Sequence, residues 1–362
     1  MQSGSIRKWL LALTLLAVIL WTIVYFYDQS AQRAAKATRI ILEPLESFPY
    51  HKPEMSASKT NKPSGADAAA AQKNLRQKVE EWLALYHRSA PGLLAAFHVL
   101  DDTNYLKEAA ANFPNDPRVE LTVLTRNVFP EDRRKWLDLF KASSPSNSLA
   151  DYLSAQAYFQ NGQSEAAVRD LVAATAKPDL ESYTLDPQLD TEELGLFCGE
   201  SALKSVETAL AASAKDSALP TLKQLASQMT DLQKQELNVS DNNSAENLAQ
   251  MGTTLGDQLN SGANGNYLIN QLAGLAVESM MLGQLDANTG YDFLDGETPA
   301  QRLREIKQQE FKLNQLAESF DALKPALTPA EKVSFQERVN LYGEVTAMQW
   351  FLQQRGNPPG GQ

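Results

Sequence analysis

A run of nineteen uncharged residues near the start of the chain divides it into two very unequal parts. Residues 9–27 read WLLALTLLAVILWTIVYFY and lie between Lys8 and Asp28. As a helix this run would span about 28 Å, which matches a hydrocarbon core of about 30 Å. Aromatic residues stand at both of its ends, where membrane interfaces favour them. The run therefore predicts a transmembrane helix at 9–27, preceded by a short tail at 1–8.

A cleaved signal peptide is the alternative interpretation of this run. Such a peptide has a shorter apolar region that is followed promptly by a small-x-small cleavage site. Here bulky aromatic residues follow the run, and the nearest small-x-small site is Ala35-Lys36-Ala37. The sequence favours an anchor that stays in the membrane.

The basic residues around the anchor bear on its orientation. Arg7 and Lys8 favour a cytoplasmic tail, whereas Arg33, Lys36 and Arg39 lie on the other side, within the distance over which such residues count. A short basic tail before the first apolar segment is the usual arrangement of an N-terminal anchor. We therefore expect the tail in the cytoplasm and the C-terminal region on the extracytoplasmic, periplasmic side.

The charge of the chain excludes some classes of partner. The formal net charge is -11, and two of the 33 basic residues precede the apolar run, so 31 basic and 44 acidic residues follow it. Nucleic-acid binding depends on Lys and Arg that neutralise phosphates, and this surface lacks the excess of them. The same charge repels anionic lipid. The single cysteine, Cys198, excludes an intramolecular disulfide.

Beyond the anchor the hydrophobic pattern is helical almost throughout. Residues 28–74 contain four prolines and a stretch without apolar periodicity, so they predict a flexible linker. From Leu75 onward apolar residues recur at three- and four-residue intervals, and no sustained alternation occurs. The fold class is all-α. After a first helix that ends at Pro91-Gly92, the helices with the clearest signals are 93–100, 105–111, 149–160, 164–176, 192–213, 219–237, 245–259, 267–285, 299–323 and 329–354.

Prolines recur at a nearly constant spacing in the first half of this region. Pro114, Pro145 and Pro178 are 31 and 33 residues apart, and two amphipathic helices lie between successive marks. In the last unit, the small residues Ala155, Ala167 and Ala174 would let the paired helices approach closely. Tyr158 and Leu171 are larger and would fill the space between the helices. Gly162 stands at the turn.

This unit resembles the tetratricopeptide repeat, a hairpin of two helices with a period near 34. The resemblance covers residues 80–180 and implies a repeat domain at 75–180, a C-terminal helical domain at 181–356 and a frayed tail at 357–362. Asp151 and Ser154 depart from it, because the family prefers Trp and Leu there. A generic helical bundle with accidental proline spacing is the alternative.

The resemblance also implies a partner-binding surface. In the family, positions of the first helix point into a concave groove that binds peptides or helices. Transferred to this chain, those positions are Tyr152, Gln156, Phe159 and Gln160. The alternative is that Tyr152 and Phe159 only pack between repeats.

Motifs that carry chemistry are missing from the sequence, so we predict no catalytic, cofactor-binding or metal-ligating residue. His87 and His98 lack partners at metal-ligand spacing and are interpreted as ordinary helix residues. The loop 286–297 places Asp286, Asn288 and Glu297 at the first, third and twelfth positions of a calcium loop. However, Tyr291 stands where that loop needs glycine, and an ordinary interhelical turn explains the same residues.

These observations favour a non-enzymatic function. We expect a membrane-anchored helical-repeat scaffold that binds a protein partner outside the cytoplasm, a layout similar to bacterial anchored repeat proteins in secretion or envelope assembly. One alternative is a hydrolase-type enzyme whose acidic residues converge only in the fold, which requires a deep pocket with perturbed carboxylates. Another is a module that only oligomerises.

Overall fold

The structure, a computed structural model, describes residues 65–356. All regular secondary structure in this range is helical, and no β-strand occurs within it. The predicted anchor, the two predicted tails and the linker up to residue 64 lie outside the described residues. Within residues 65–356, none of the helices combines the length and the hydropathy that a membrane crossing requires.

The helices follow one another with short connections, and we number them in chain order. They are α1 (Gly65–Leu85), α2 (Ala90–Leu100), α3 (Thr103–Asn112), α4 (Pro117–Arg126), α5 (Arg133–Ser143), α6 (Leu149–Gln160), α7 (Ser164–Thr175), α8 (Leu185–Phe197), α9 (Ala202–Lys215), α10 (Leu219–Asn238), α11 (Asn242–Asn260), α12 (Leu268–Leu282), α13 (Pro299–Leu323), α14 (Pro329–Tyr342) and α15 (Glu344–Gly356).

Local capping signals explain several of the helix starts. The Thr328 hydroxyl accepts a hydrogen bond from the backbone N–H of Glu331 at 3.2 Å, and the Glu331 carboxylate accepts one from the N–H of Thr328 at 2.8 Å. This reciprocal pair satisfies two N–H groups that the first turn of α14 leaves open. Thr298 and Gln301 form the same arrangement at the start of α13. The predicted beginnings of both helices are confirmed.

Two of the predicted helices are wrong because each is two helices. The predicted helix 192–213 is interrupted between α8 and α9, where Gly199 has a φ of +88°. The predicted helix 329–354 is interrupted between α14 and α15 by Gly343, with a φ of +85°. A helix cannot continue through such a residue, and glycine adopts this conformation without steric cost. At Gly343 an added Cβ would also lie 3.1 Å from the backbone oxygen of Asn266.

The first helix begins earlier than expected. Helix α1 starts at Gly65, so residues 65–74 are helical although we predicted them as part of the linker. Its first ten residues read GADAAAAQKN, and alanine has the highest helix propensity. Residues 69–74 are exposed, so this part of α1 depends on local propensity and gains nothing from burial.

One large hydrophobic core connects α1 to α12. Its buried residues run from Val79 to Met281 and continue across residue 180, where the sequence suggested a division between repeats and C-terminal helices. A second, smaller core joins α12 with the last three helices, where the ring of Phe320 stacks on that of Phe335 at 4.4 Å between centroids. The N-terminal hairpins and the middle helices therefore share buried surface.

Helices α11 and α12 pack with their backbones unusually close together. Gly256 on α11 faces Gly274 on α12, and a Cβ added to Gly274 would lie 2.6 Å from the Gly256 carbonyl oxygen. On Gly252, one turn earlier, a Cβ would lie 2.3 Å from Cγ of Met281. Glycine is required wherever two backbones approach this closely.

The substitution Gly274→Ala should therefore destabilise the protein. The new methyl group meets a backbone oxygen that cannot rotate away, and overpacking of this kind costs about 1–3 kcal/mol. Urea denaturation of the purified chain measures the change in the free energy of unfolding. The matched control is Gly283→Ala, because Gly283 has a φ of -65° and its nearest contact is 3.1 Å away, the carbonyl oxygen of Ser279. Equal effects of the two substitutions would contradict the close packing.

Candidate functional site

Helices α6 and α7 form the antiparallel hairpin that the repeat pattern predicts. They are joined through Gly162, whose φ of +70° allows the tight turn. The small and large positions expected between the two helices are fully buried, whereas Tyr158 is half-buried under the Arg134 guanidinium, 4.9 Å from its ring centroid. The fully buried set comprises Ala155, Ala167, Leu171 and Ala174.

The four predicted partner-binding residues differ in exposure. Tyr152 and Gln156 are inside the protein, with 0% and 1% of their surface exposed. The side chain of Gln156 donates a hydrogen bond to Oε1 of Gln224 on α10 at 3.0 Å, and Nε2 of Gln160 lies 3.5 Å from the same oxygen. Gln160 is exposed, and Phe159 is partly buried against the large core.

Helix α10 of the same chain thus packs against the face of α6 that a tetratricopeptide repeat would offer to a ligand. A partner that contacted Gln156 would first have to displace α10, and one that contacted the Tyr152 hydroxyl would have to displace Gln258 of α11. The buried residues of α10 belong to the large core, so displacement of α10 would expose apolar surface. They are Leu222, Leu225, Ala226 and Met229.

Buried amide side chains fix the segment that leads from the hairpin to α8. Oε1 of Gln258 accepts hydrogen bonds from the Tyr152 hydroxyl at 2.9 Å and the Ser148 hydroxyl at 3.1 Å. Its Nε2 donates to the carbonyl oxygen of Lys177 at 2.8 Å. Asn147 donates to the Glu181 carbonyl oxygen at 2.8 Å and accepts from the Glu181 N–H at 2.9 Å. These bonds replace the secondary structure that the segment lacks.

Asp151 and Ser154, the two residues that depart from the repeat pattern, belong to one polar network. The buried Asp151 carboxylate lies between two lysines, 3.0 Å from Nζ of Lys141 and 2.5 Å from Nζ of Lys177. Lys141 also contacts the carboxylate of Asp170 at 2.7 Å, and this carboxylate accepts a hydrogen bond from the Ser154 hydroxyl. The hairpin therefore has a paired carboxylate and a hydroxyl group where the family prefers an aromatic and an aliphatic residue. A buried charge is tolerated because it is paired.

His98 is a second polar centre that the sequence did not indicate. Its Nε2 lies 2.7 Å from the Asp216 carboxylate, and its Nδ1 lies 3.0 Å from the Thr191 hydroxyl. The hydroxyl hydrogen of Thr191 is directed to the carbonyl oxygen of Pro187 at 2.6 Å. The two ring nitrogens of His98 are thus held between a hydroxyl group and a carboxylate.

Asp216 completes this centre by pairing with an arginine. The Arg126 guanidinium donates to the other oxygen of the Asp216 carboxylate and lies 4.9 Å from the Phe97 ring centroid. The cluster joins α2, α4, α8 and the C-terminal end of α9. Beside it lies a cavity of about 30 Å³, lined by His98, Arg118 and Tyr183 among others. This volume is close to that of one water molecule and far below that of a substrate pocket.

Glu120 on α4 is a fully buried carboxyl group with incomplete hydrogen bonding. One oxygen accepts from the Ser143 hydroxyl, and the other has no partner in the described part of the chain. Burial raises the pKa of Glu120 to about 7, the Ser143 hydrogen bond lowers it and the nearby Asp116 charge raises it. The cavity described above does not reach Glu120, so we interpret this carboxyl group as a determinant of stability.

Glu120 should make the protein less stable as the pH rises. Between the ordinary Glu value of 4.5 and about 7, the folded chain holds a proton that the unfolded chain has lost. The free energy of unfolding therefore falls through this window, by up to about 3 kcal/mol. Glu120→Gln stays neutral and should remove that part of the pH dependence in urea denaturation.

The surface substitution Glu165→Gln is the control, because it leaves the buried carboxyl group in place. The variant Glu120→Gln should exceed the wild type in stability at pH 8 and approach it at pH 4.5. A Glu120→Gln protein with the pH dependence of the wild type would show that this carboxyl group does not titrate differently on folding.

The loop 286–297 has the geometry of a turn. The Asp286 carboxylate accepts hydrogen bonds from the N–H of Asn288 at 3.1 Å and from the Thr289 hydroxyl at 2.9 Å. The N–H of Tyr291 donates to the carbonyl oxygen of Glu297 at 3.2 Å and closes the loop. No group of three acidic, histidine or cysteine side chains in residues 65–356 is arranged to hold a metal ion. The turn hydrogen bonds account for Asp286 without a cation.

Comparisons with protein family models, with curated proteins and with solved structures found no match for this chain. The tetratricopeptide resemblance therefore stays a prediction. The sequence could not have indicated the His98 centre, because its partners are 93 and 118 residues away in the chain.

Proposed function

We propose that this protein is a membrane-anchored helical scaffold whose C-terminal region binds a protein partner on the extracytoplasmic side. The uncharged run at 9–27 supports the anchor, and the basic tail before it supports the orientation. The layout suits a role in envelope assembly or secretion. In this proposal the linker that ends before Gly65 holds the helical region at a distance from the bilayer.

The observation that carries this proposal is that the cavity beside His98 is small, only about 30 Å³, while the surface of α8 exposes several large apolar side chains to solvent. Exposed apolar surface with this arrangement marks a site of protein association. It favours binding over catalysis, which needs an enclosed pocket with convergent polar groups.

In this proposal the α6–α7 hairpin has a structural role. Its ligand face already holds α10, so the hairpin stabilises the fold and the partner binds elsewhere on the surface. Phe159 and Gln160 lie at the edge of that face and can contribute only to a contact that leaves α10 in place.

Crosslinking in intact cells, with a reagent that does not cross the cytoplasmic membrane, tests the proposal. A partner protein should be recovered with the full chain. It should be lost with Leu16→Arg, because a charge at the centre of a membrane helix costs about 2.5–3.5 kcal/mol and releases the anchor. The control Leu16→Phe keeps the segment apolar and should retain the partner.

Two results would contradict the scaffold. One is that no protein is captured with the wild type. The other is that crosslinks form only after the cells are lysed, since the C-terminal region would then lie in the cytoplasm.

A further inference from the structure

Helix α8 has a buried side and an exposed apolar side. Its buried side packs against α2 and α9. At about 100° per residue, Leu185, Leu189 and Leu196 lie within about 40° of one another on a different side. They are exposed by 36%, 38% and 51%. These leucines therefore form a stripe. No other helix in the described part of the chain buries this stripe as fully as the core residues are buried.

Two further exposed aromatic side chains lie on or beside α8. Phe197 at the end of α8 is 41% exposed, and Tyr86, just after α1, is 38% exposed. The Tyr86 hydroxyl donates a hydrogen bond to the carboxylate of Glu193, which fixes the end of α1 beside α8. We call Tyr86 and the exposed residues Leu185, Leu189, Leu196 and Phe197 the α8 face. Residues 185–197 rise by about 18 Å, the length of three helical turns.

The charge of α8 has a single sign. The helix reads LDPQLDTEELGLF and contains four carboxylates and no basic residue. These carboxylates also interact within the chain, as Glu193 does with Tyr86, so they contribute a negative field and are not empty sites. Arg118 of α4 interacts with Asp186 and Asp190, and Lys78 of α1 donates to the carbonyl oxygen of Cys198 at 2.7 Å. The four carboxylates outnumber these two cations, so the edge of the α8 face keeps a net negative charge.

Apolar area and negative charge together select the occupant. A second copy of the chain would bring the same carboxylates to the interface, and an anionic lipid surface would be repelled in the same way. A basic amphipathic helix fits both properties, because its apolar side covers the leucines while its Lys or Arg residues meet the carboxylates. Anchors at positions i, i+4, i+7 and i+11 of such a helix span about 16.5 Å, the rise between Leu185 and Leu196.

We propose that the α8 face is the docking site for a basic amphipathic helix of the partner protein. This inference rests on the proposed scaffold function and names the surface and the partner chemistry. Single exposed apolar residues are ordinary on protein surfaces, but three exposed leucines within about 40° of one another on one helix form an apolar stripe.

A synthetic helical peptide provides the direct test. An 18-residue amphipathic helix of leucine and lysine is labelled with a fluorophore and titrated with the full chain in nanodiscs of zwitterionic lipid. Empty nanodiscs give the background. The wild type should bind the peptide saturably at one site, and the double variant Leu189→Ser with Leu196→Ser should weaken the Kd at least tenfold. Both positions are exposed, so circular dichroism should show an unchanged helix content.

The matched control is Val172→Ser with Phe311→Ser, which removes two apolar residues that are exposed by 51% and 66% outside the α8 face. This control should bind like the wild type. A second peptide of the same composition, with its residues reordered so that no apolar side remains, should bind at least tenfold more weakly. Equal Kd values for the Leu189/Leu196 variant and the wild type, or for the two peptides, would overturn the docking site.

Crosslinking in cells separates this proposal from the scaffold function. If the Leu189/Leu196 variant still captures the partner as the wild type does, the docking face is wrong and the scaffold stands. If the wild type captures no partner, the scaffold function fails, and with it the docking proposal that rests on it. Loss of the partner from this variant alone, with the Val172/Phe311 control unchanged, supports both.

Discussion

The packing of α10 against α6 is the contact on which the rest of the arrangement depends. Its buried residues, among them Leu222, Leu225 and Met229, are part of the core that runs from α1 to α12. Full burial of a leucine or methionine side chain is worth about 1.5–3 kcal/mol, before the entropy of ordering is subtracted. The contact joins residues 149–160 to residues 219–238, so the hairpins and the middle helices share one core.

This contact also changes what the hairpin can do. A tetratricopeptide hairpin offers the face of its first helix to a ligand, and here the chain supplies its own helix to that face. The hydrogen bond between Gln156 and Gln224 and that between Tyr152 and Gln258 satisfy polar groups that a ligand would otherwise meet. Because a buried polar group without a partner is costly, the Gln156–Gln224 bond opposes the removal of α10, and the Tyr152–Gln258 bond ties α6 to α11. The exposed apolar side chains of α8 are then the better candidates for a partner.

Local sequence patterns predicted the helices well and their interruptions poorly. Helix α10 was expected at 219–237 and extends to Asn238, and α6 was expected with the bounds that it has. The breaks at Gly199 and Gly343 were not expected, because glycine tolerates both helical and positive φ values and only distant contacts decide between them. At Gly343 the deciding contact is Asn266, which lies 77 positions earlier in the chain.

The candidate site shows the same limit more strongly. The spacing of Ala155, Ala167 and Ala174 predicted the inner side of the hairpin, since residues on paired helices meet at fixed intervals. The spacing could not show whether the outer side of α6 is covered, because the helix that covers it follows more than fifty residues later. The His98–Asp216 pair could not be predicted either, because the two residues are 118 positions apart in the chain. What a sequence conveys about helix faces is local, whereas a binding surface is what remains after every helix has packed.

The exchange of backbone amide hydrogens with solvent tests the central claim most directly, namely that α10 covers α6 as part of the core. Under native conditions the central amides of α6 and α10 should exchange with the same high opening free energy, because neither helix is exposed until the shared core opens. Tyr152 and Gln156 lie in this region. If α10 instead exchanged through a separate opening of much lower free energy while α6 stayed protected, its contact would be loose. The ligand face of the hairpin would then be accessible, contrary to this account.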